Sequence, residues 1–178
     1  MKRLWVFALV ALALVASNAH AGSIGVGAFG GVSVPVLQED QDQGSLFGVR
    51  VPVKLVPLFA VEPFYSKGSL GDKSITVGPL TQTREGFDVT TYGLNAMLTI
   101  GGPVSFYPYA GIGSAKFERT GQEETWTSYN LGLGLSLSPI PKVSIDLRGE
   151  LQAAVDGDVS RKMVNVTLGA SYSLFSMP

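Results

Sequence analysis

The chain has 178 residues, with 13 Lys and Arg against 14 Asp and Glu, one histidine and no cysteine. So even a balance leaves no electrostatic footprint for nucleic acid, and the lack of thiols excludes disulfide staples, a thiol nucleophile and a lipid-attachment cysteine.

The first 21 residues, MKRLWVFALVALALVASNAHA, carry Lys2 and Arg3, an apolar run from Leu4 to Val15, and Ala19-His20-Ala21. This is the charged, apolar and A-x-A order of a secretory signal peptide. The run is shorter than the roughly 20 residues a membrane-spanning helix needs. Cleavage after Ala21 removes the only histidine, so residues 22–178 form one mildly acidic domain without an imidazole for a Ser-His pair, a metal site or a proton shuttle.

From Ser23 onward the chain breaks into eight runs rich in Val, Leu, Thr, Tyr, Phe and Gly, and none shows a capped 3.6-residue apolar period. The predicted strands are Ser23 to Val36, Ser45 to Val56, Leu58 to Lys67, Gly86 to Ile100, Val104 to Arg119, Thr125 to Leu137, Lys142 to Val155 and Arg161 to Phe175. Most exceed the five or six residues usual in a soluble sheet, as tilted strands crossing a bilayer must. Pro52 lies within the second run and cannot donate a ladder hydrogen bond, which predicts a bulge or an early end to pairing.

The connections alternate. Val56-Pro57-Leu58, Gly101-Gly102-Pro103 and Ser138-Pro139-Ile140-Pro141 are short. LQEDQDQG from Leu37, Gly68 to Glu85, TGQEE from Thr120 and DGDVS from Asp156 are longer and polar. Alternating turns and loops fit an eight-stranded antiparallel up-and-down barrel in the outer membrane, with both termini on the periplasmic, short-turn side. The external loops then carry Glu39, Asp40, Asp42, Asp72, Lys73, Arg84, Glu123, Glu124, Asp156 and Asp158.

The face assignment follows from volume and charge. In KVSIDLRGELQAAV, Ile145, Leu147 and Leu151 alternate with Asp146, Arg148 and Glu150. A soluble sheet would turn the aliphatic parity inward. An eight-stranded barrel has room inside for one layer of side chains or one small ligand, so the aliphatics of several long strands would overfill it. Facing lipid, each Arg or Lys would instead cost roughly 2 to 4 kcal/mol. The expected lumen therefore holds a balanced charge network of Arg50, Lys54, Glu62, Asp146, Arg148 and Glu150 among small Gly and Ser residues. Phe59, Phe64, Tyr65, Tyr107, Tyr109, Trp126, Tyr129, Tyr172 and Phe175 lie toward strand ends, where an interfacial girdle would place them.

Phe106-Tyr107-Pro108-Tyr109-Ala110-Gly111-Ile112-Gly113 and the alternating run Val164 to Phe175 resemble the small eight-stranded outer-membrane β-barrel family, the group of the OmpA transmembrane domain and OmpX. The resemblance covers essentially all of residues 22–178. It implies insertion by the barrel assembly machinery, which reads a terminal strand ending in an aromatic residue; here Ser176-Met177-Pro178 follow Phe175. Outer-membrane enzymes of similar size, a lipid A palmitoyltransferase and a lipid A deacylase, rely on histidine with serine, which this domain lacks.

Other chemistry is absent from the pattern. Asp156 and Asp158 fall short of the six to eight oxygens of a Ca²⁺ site. The cluster of Gly25, Gly27, Gly30 and Gly31 lacks the Lys and helix of a phosphate loop. The sequence thus predicts a monomeric, non-enzymatic outer-membrane barrel without cofactor or metal. Its partners would be membrane lipid and an external ligand or surface partner, and its role structural or surface interaction. A narrow pore or small-solute transporter and a soluble periplasmic lipid-binding barrel are the alternatives.

Overall fold

In the computed structural model, residues 22–36, 42–77, 80–84, 86–119 and 121–176 are described, with only the backbone of 73–77, 80–82, 84 and 176. The strands are β1 (Ser23–Val36), β2 (Asp42–Arg50), β3 (Val53–Val56), β4 (Phe59–Gly71), β5 (Lys73–Val77), β6 (Leu80–Arg84), β7 (Asp88–Leu98), β8 (Ile100–Gly101), β9 (Val104–Arg119), β10 (Gln122–Ile140), β11 (Val143–Asp156) and β12 (Val159–Ser176).

β2 with β3, and β7 with β8, each form one interrupted stave, so the ring has eight antiparallel staves and closes by pairing β12 with β1. The closing seam runs from Ser23 opposite Ser176 to Val36 opposite Lys162. Pro52 interrupts pairing as its missing N–H requires. β2 ends at Arg50, and the neighbouring Val51 N–H donates to the Pro63 carbonyl at 2.9 Å.

The period-two pattern sorts side chains as a barrel demands. On β10, Trp126, Ser128, Asn130, Gly132 and Gly134 are buried while Tyr129, Leu131, Leu133 and Leu135 are exposed. On β11, Asp146, Arg148 and Gln152 are buried, and Ile145, Leu147 and Leu151 face out. The exposures of 63% at Leu131 and 64% at Phe47, beside 1% at Arg50 and Glu62, invert the soluble arrangement and require lipid outside. This excludes the soluble lipid-binding barrel.

The expected long loops are largely strand. β9 runs to Arg119 and β10 resumes at Gln122, so TGQEE is mostly ladder; DGDVS turns tightly at Gly157, whose φ of 56° suits glycine. β5 and β6 form a two-stranded hairpin of their own between β4 and β7. The ladders outrun the predicted strands because polar residues continue backbone pairing beyond the aliphatic band, which the hydrophobic pattern cannot report.

Candidate functional site: the layered lumen

Cross-strand pairing places Arg50 on β2, Glu62 on β4, Tyr107 on β9 and Asp146 with Arg148 on β11, all turned inward at one level. Arg148 grips Glu62 in a fork, with Nη1 to Oε1 at 2.6 Å and Nη2 to Oε2 at 2.8 Å. Its Nε lies 3.0 Å from Asp146 Oδ1 and donates to the Tyr107 hydroxyl at 2.8 Å. That hydroxyl donates to Asp146 Oδ1 at 3.0 Å. Arg50 Nη2 pairs with Asp146 Oδ2, and its Nε lies 3.9 Å from Glu62 Oε2. Two guanidinium groups and two carboxylates thus neutralise each other across the lumen, the condition for holding charge in a dry interior.

The aromatic rings complete the layer. Arg148 Cζ sits 5.1 Å and 5.3 Å from the ring centroids of Tyr107 and Tyr109, within cation–π range. Gly132 and Gly134 lie opposite Tyr109 and Tyr107 in register, and a Cβ on either would collide with the facing ring. Gly169 makes room for the Arg50 guanidinium in the same way.

Toward the hairpin end the network passes from guanidinium groups to hydroxyls and amides around Glu150. The Tyr109 hydroxyl donates to Glu150 Oε2 at 3.1 Å, and Asn165 Nδ2 donates to Glu150 Oε1 at 3.0 Å and Gln152 Oε1 at 3.1 Å. Gln152 Nε2 reaches Thr91 Oγ1 at 3.0 Å and Ser128 Oγ at 3.1 Å. Cavities here hold only about 30 Å³ and 20 Å³, room for single waters at most. Above them Leu70, Phe87, Val89, Phe117, Trp126 and Met163 form an apolar plug. The Arg161 guanidinium lies 4.4 Å from the Trp126 centroid, 4.6 Å from Phe117 and 5.2 Å from Phe87. Its Nη2 is 3.7 Å from Glu124 Oε2.

Toward the short-turn end the lumen opens into a vestibule of about 470 Å³ with Asp146, Arg148 and Tyr107 at its floor.

Of the six residues predicted for the network, Arg50, Glu62, Asp146 and Arg148 meet directly. Glu150 joins through Tyr109 and Asn165. Lys54 does not join: it is exposed, lines the vestibule and makes no ion pair among the described residues, because β3 resumes at the barrel end beyond the Pro52 break. Tyr107, Tyr109 and Trp126 depart from the girdle and point inward, 3%, 3% and 7% exposed. The parity of the two tyrosines with Ser105 and Gly111, and of Trp126 with Ser128 and Asn130, was the available signal. The roles of Gln152, Asn165 and Arg161 had none, since only the ring's register brings them to their partners.

Of the loop residues, Glu39 and Asp40 lie outside the described residues. Asp42, Asp156 and Asp158 are exposed. Asp72 Oδ1 accepts the Gly86 N–H at 2.7 Å, and Lys73 pairs with Arg84 through the backbone at the base of the β5–β6 hairpin. Glu123 pairs with Lys116 at 2.9 Å, and Glu124 with Arg161 as above.

A family model described as the outer membrane protein β-barrel domain matches residues 6–172. Neisserial surface protein A is 14% identical over 86% of this chain and 97% of its own, with a TM-score of 0.61. The attachment invasion locus protein Ail of Yersinia pestis, solved with the heparin analogue sucrose octasulfate, is 20% identical over 88% and 99%, with a TM-score of 0.52. The N-terminal β-barrel domain of Pseudomonas aeruginosa OprF is 16% identical over 84% and 97%, also with a TM-score of 0.52. At these identities the likeness is one of fold. No curated protein matches the sequence.

Proposed function

Because the chain belongs to the outer membrane protein β-barrel domain family and resides in the outer membrane, we propose that it serves there as a sealed, non-enzymatic scaffold presenting hairpins to the cell exterior. The observation that carries this reading is the cross-lumen layer of Arg50, Glu62, Tyr107, Asp146 and Arg148, which joins four staves at one level. An open channel would leave those charges to water rather than to each other. Residues 22–178 also lack a histidine for the hydrolytic chemistry found in barrels of this size.

In this reading the short-turn end faces the periplasm, and β5–β6, β9–β10 and β11–β12 project outward. The chain is exported by its first 21 residues, inserted by the barrel assembly machinery, surrounded by membrane lipid and monomeric. Specificity for a surface partner resides in the projecting hairpins, because the barrel itself is scaffold. The Ail structure holds a sulfated polyanion analogue. Here Glu118, Glu123, Glu124, Asp156 and Asp158 stand beside Lys116, Arg119 and Arg161, a mixed surface that suits a partner carrying both signs of charge.

Planar-bilayer recording tests the seal. The refolded chain is expected to give no conductance steps; steady ohmic steps that change in Arg148→Gln would establish the narrow pore instead. A single cysteine tests orientation, since the chain has none. Gly121→Cys should react with an impermeant maleimide on intact cells and Gly102→Cys should not.

A further inference from the structure

We propose that the vestibule at the short-turn end is a binding site for a small phosphorylated, hydroxyl-bearing solute. Its volume of about 470 Å³ falls within the range of small-molecule pockets, and the salt-bridged floor makes it blind rather than a passage.

The wall is rich in hydroxyls, among them Ser105, Ser136, Ser144, Ser171 and Ser173, which can donate to or accept from a polyol. Its acidic residues, Glu62 and Asp146, are committed to Arg148 and Arg50. Lys54 and Lys142 are exposed, line the same cavity and form no ion pair among the described residues. The mouth is therefore positive in a chain whose net charge is negative.

Lys142 carries a second signal. It is the only non-glycine with positive φ among the described residues, at 71°, in a turn where glycine or asparagine would sit without strain. Its carbonyl accepts the Ser173 N–H at 2.7 Å, which fixes the turn against the vestibule wall. A lysine in this conformation carries a backbone cost that glycine would not, and the turn sets its side chain at the vestibule.

Pairing runs from Lys54 opposite Ser23, through β1 to β12, and through Ser173 to Lys142. Ser173 pairs with Gly25, two residues along β1 from Ser23, so three interstrand steps of about 4.8 Å and an offset of two residues along the strand separate the two backbones, a span that two extended lysine side chains can bridge through one anion. Phosphate is favoured over carboxylate because the forked guanidinium face that reads carboxylates is already filled by Glu62, leaving lysines, which bind phosphate as point charges.

The phosphate can come from a periplasmic solute or from a lipid headgroup at the rim. Glucose 6-phosphate titrated into the refolded full chain in a phosphate-free nonionic detergent, followed by amide NMR, separates binding from its absence. Saturable shifts at Ser144, Ser171 and Ser173 are expected, with glucose at least tenfold weaker. Lys54→Gln with Lys142→Gln should weaken binding at least tenfold, while Lys67→Gln on the hairpin side leaves it within twofold. Repeating the titration in phosphatidylglycerol nanodiscs assigns the source: unchanged binding marks a free solute, and loss of binding marks headgroups occupying the same site. Absence of saturable shifts in detergent, equal binding of glucose, or indifference to the paired lysine substitutions overturns the proposal. Heat-modifiable gel mobility confirms that each variant is folded, and the conductance test of the seal is read separately.

Discussion

The two ends of the barrel are built from the same strands on the same parity, yet one is hollow and the other solid. Along β10 the inward side chains run Ser136, Gly134, Gly132, Asn130, Ser128 and Trp126, from an open vestibule to a packed plug. Along β12 they run Ser171, Gly169, Thr167, Asn165, Met163 and Arg161. Ring geometry sets how many side chains fit at each level, and residue size decides whether that level is full. The charged layer sits at the boundary, where it closes the vestibule and supports the packed half.

The largest effect should come from removing the shared acid of that boundary. Glu62→Ala strips Arg148 of its forked partner and leaves Asp146 alone to balance two buried guanidinium groups, and should lower stability by about 3 to 5 kcal/mol, read by urea titration of tryptophan fluorescence. A loss below 1 kcal/mol would mean that the layer is hydrated. Trp126→Ala removes the ring stacked edge-on with Phe117 and under Arg161, and should cost about 3 kcal/mol. It should leave bilayer recordings silent, because the charged layer remains; conductance in this variant would move the seal from the salt bridges to the plug.

Next come the sockets. Gly134→Ala should cost about 1 to 3 kcal/mol through collision with Tyr107, whereas Gly149→Ala, which meets nothing within 4 Å, should stay within about 0.5 kcal/mol. Equal effects would show that the rings yield freely.

The smallest effect belongs to the projecting end of β9. Hydrogen bonding from Lys116 at 2.7 Å holds the Glu118 carboxyl below its ordinary value. A lowered folded-state value stabilises above the unfolded carboxylate pKa and is lost as pH falls through the folded one. Being exposed, the pair should change stability barely measurably, but a carbon-detected NMR titration should place Glu118 below an unpaired glutamate, and Lys116→Gln should return it.

The sequence disclosed the ring and its two faces because a period of two is written into every long strand, as in Ile145 to Leu151. It also located the break at Pro52 and four of the charges that meet. It misplaced Lys54 because strand parity alone says nothing about height once β2 and β3 are offset by that break. Tyr107, Tyr109 and Trp126 looked like girdle residues because β-propensity and interfacial preference favour the same residue types. Only pairing with Gly132 and Gly134 reveals the space for the tyrosines, and that pairing is a property of register. The hairpin strands were hidden for a different reason: Gln122 to Glu124 continue the backbone ladder with polar side chains, with no apolar alternation to mark them.

The seam joins Ser23 to Ser176, the beginning of β1 to the end of β12. Every other stave pairs with a neighbour close in sequence, but the first and last find each other only across the whole chain. Loop-closure entropy makes such a contact slow to form, and folding rates fall as contacts become less local. Until it forms, β1 and β12 each present an open, aliphatic edge of the kind that templates aggregation. The chain must therefore be complete, and kept from self-association, before its last hydrogen bonds can be made; a pulse-labelled hydrogen-exchange experiment should find the β1–β12 amides protected last.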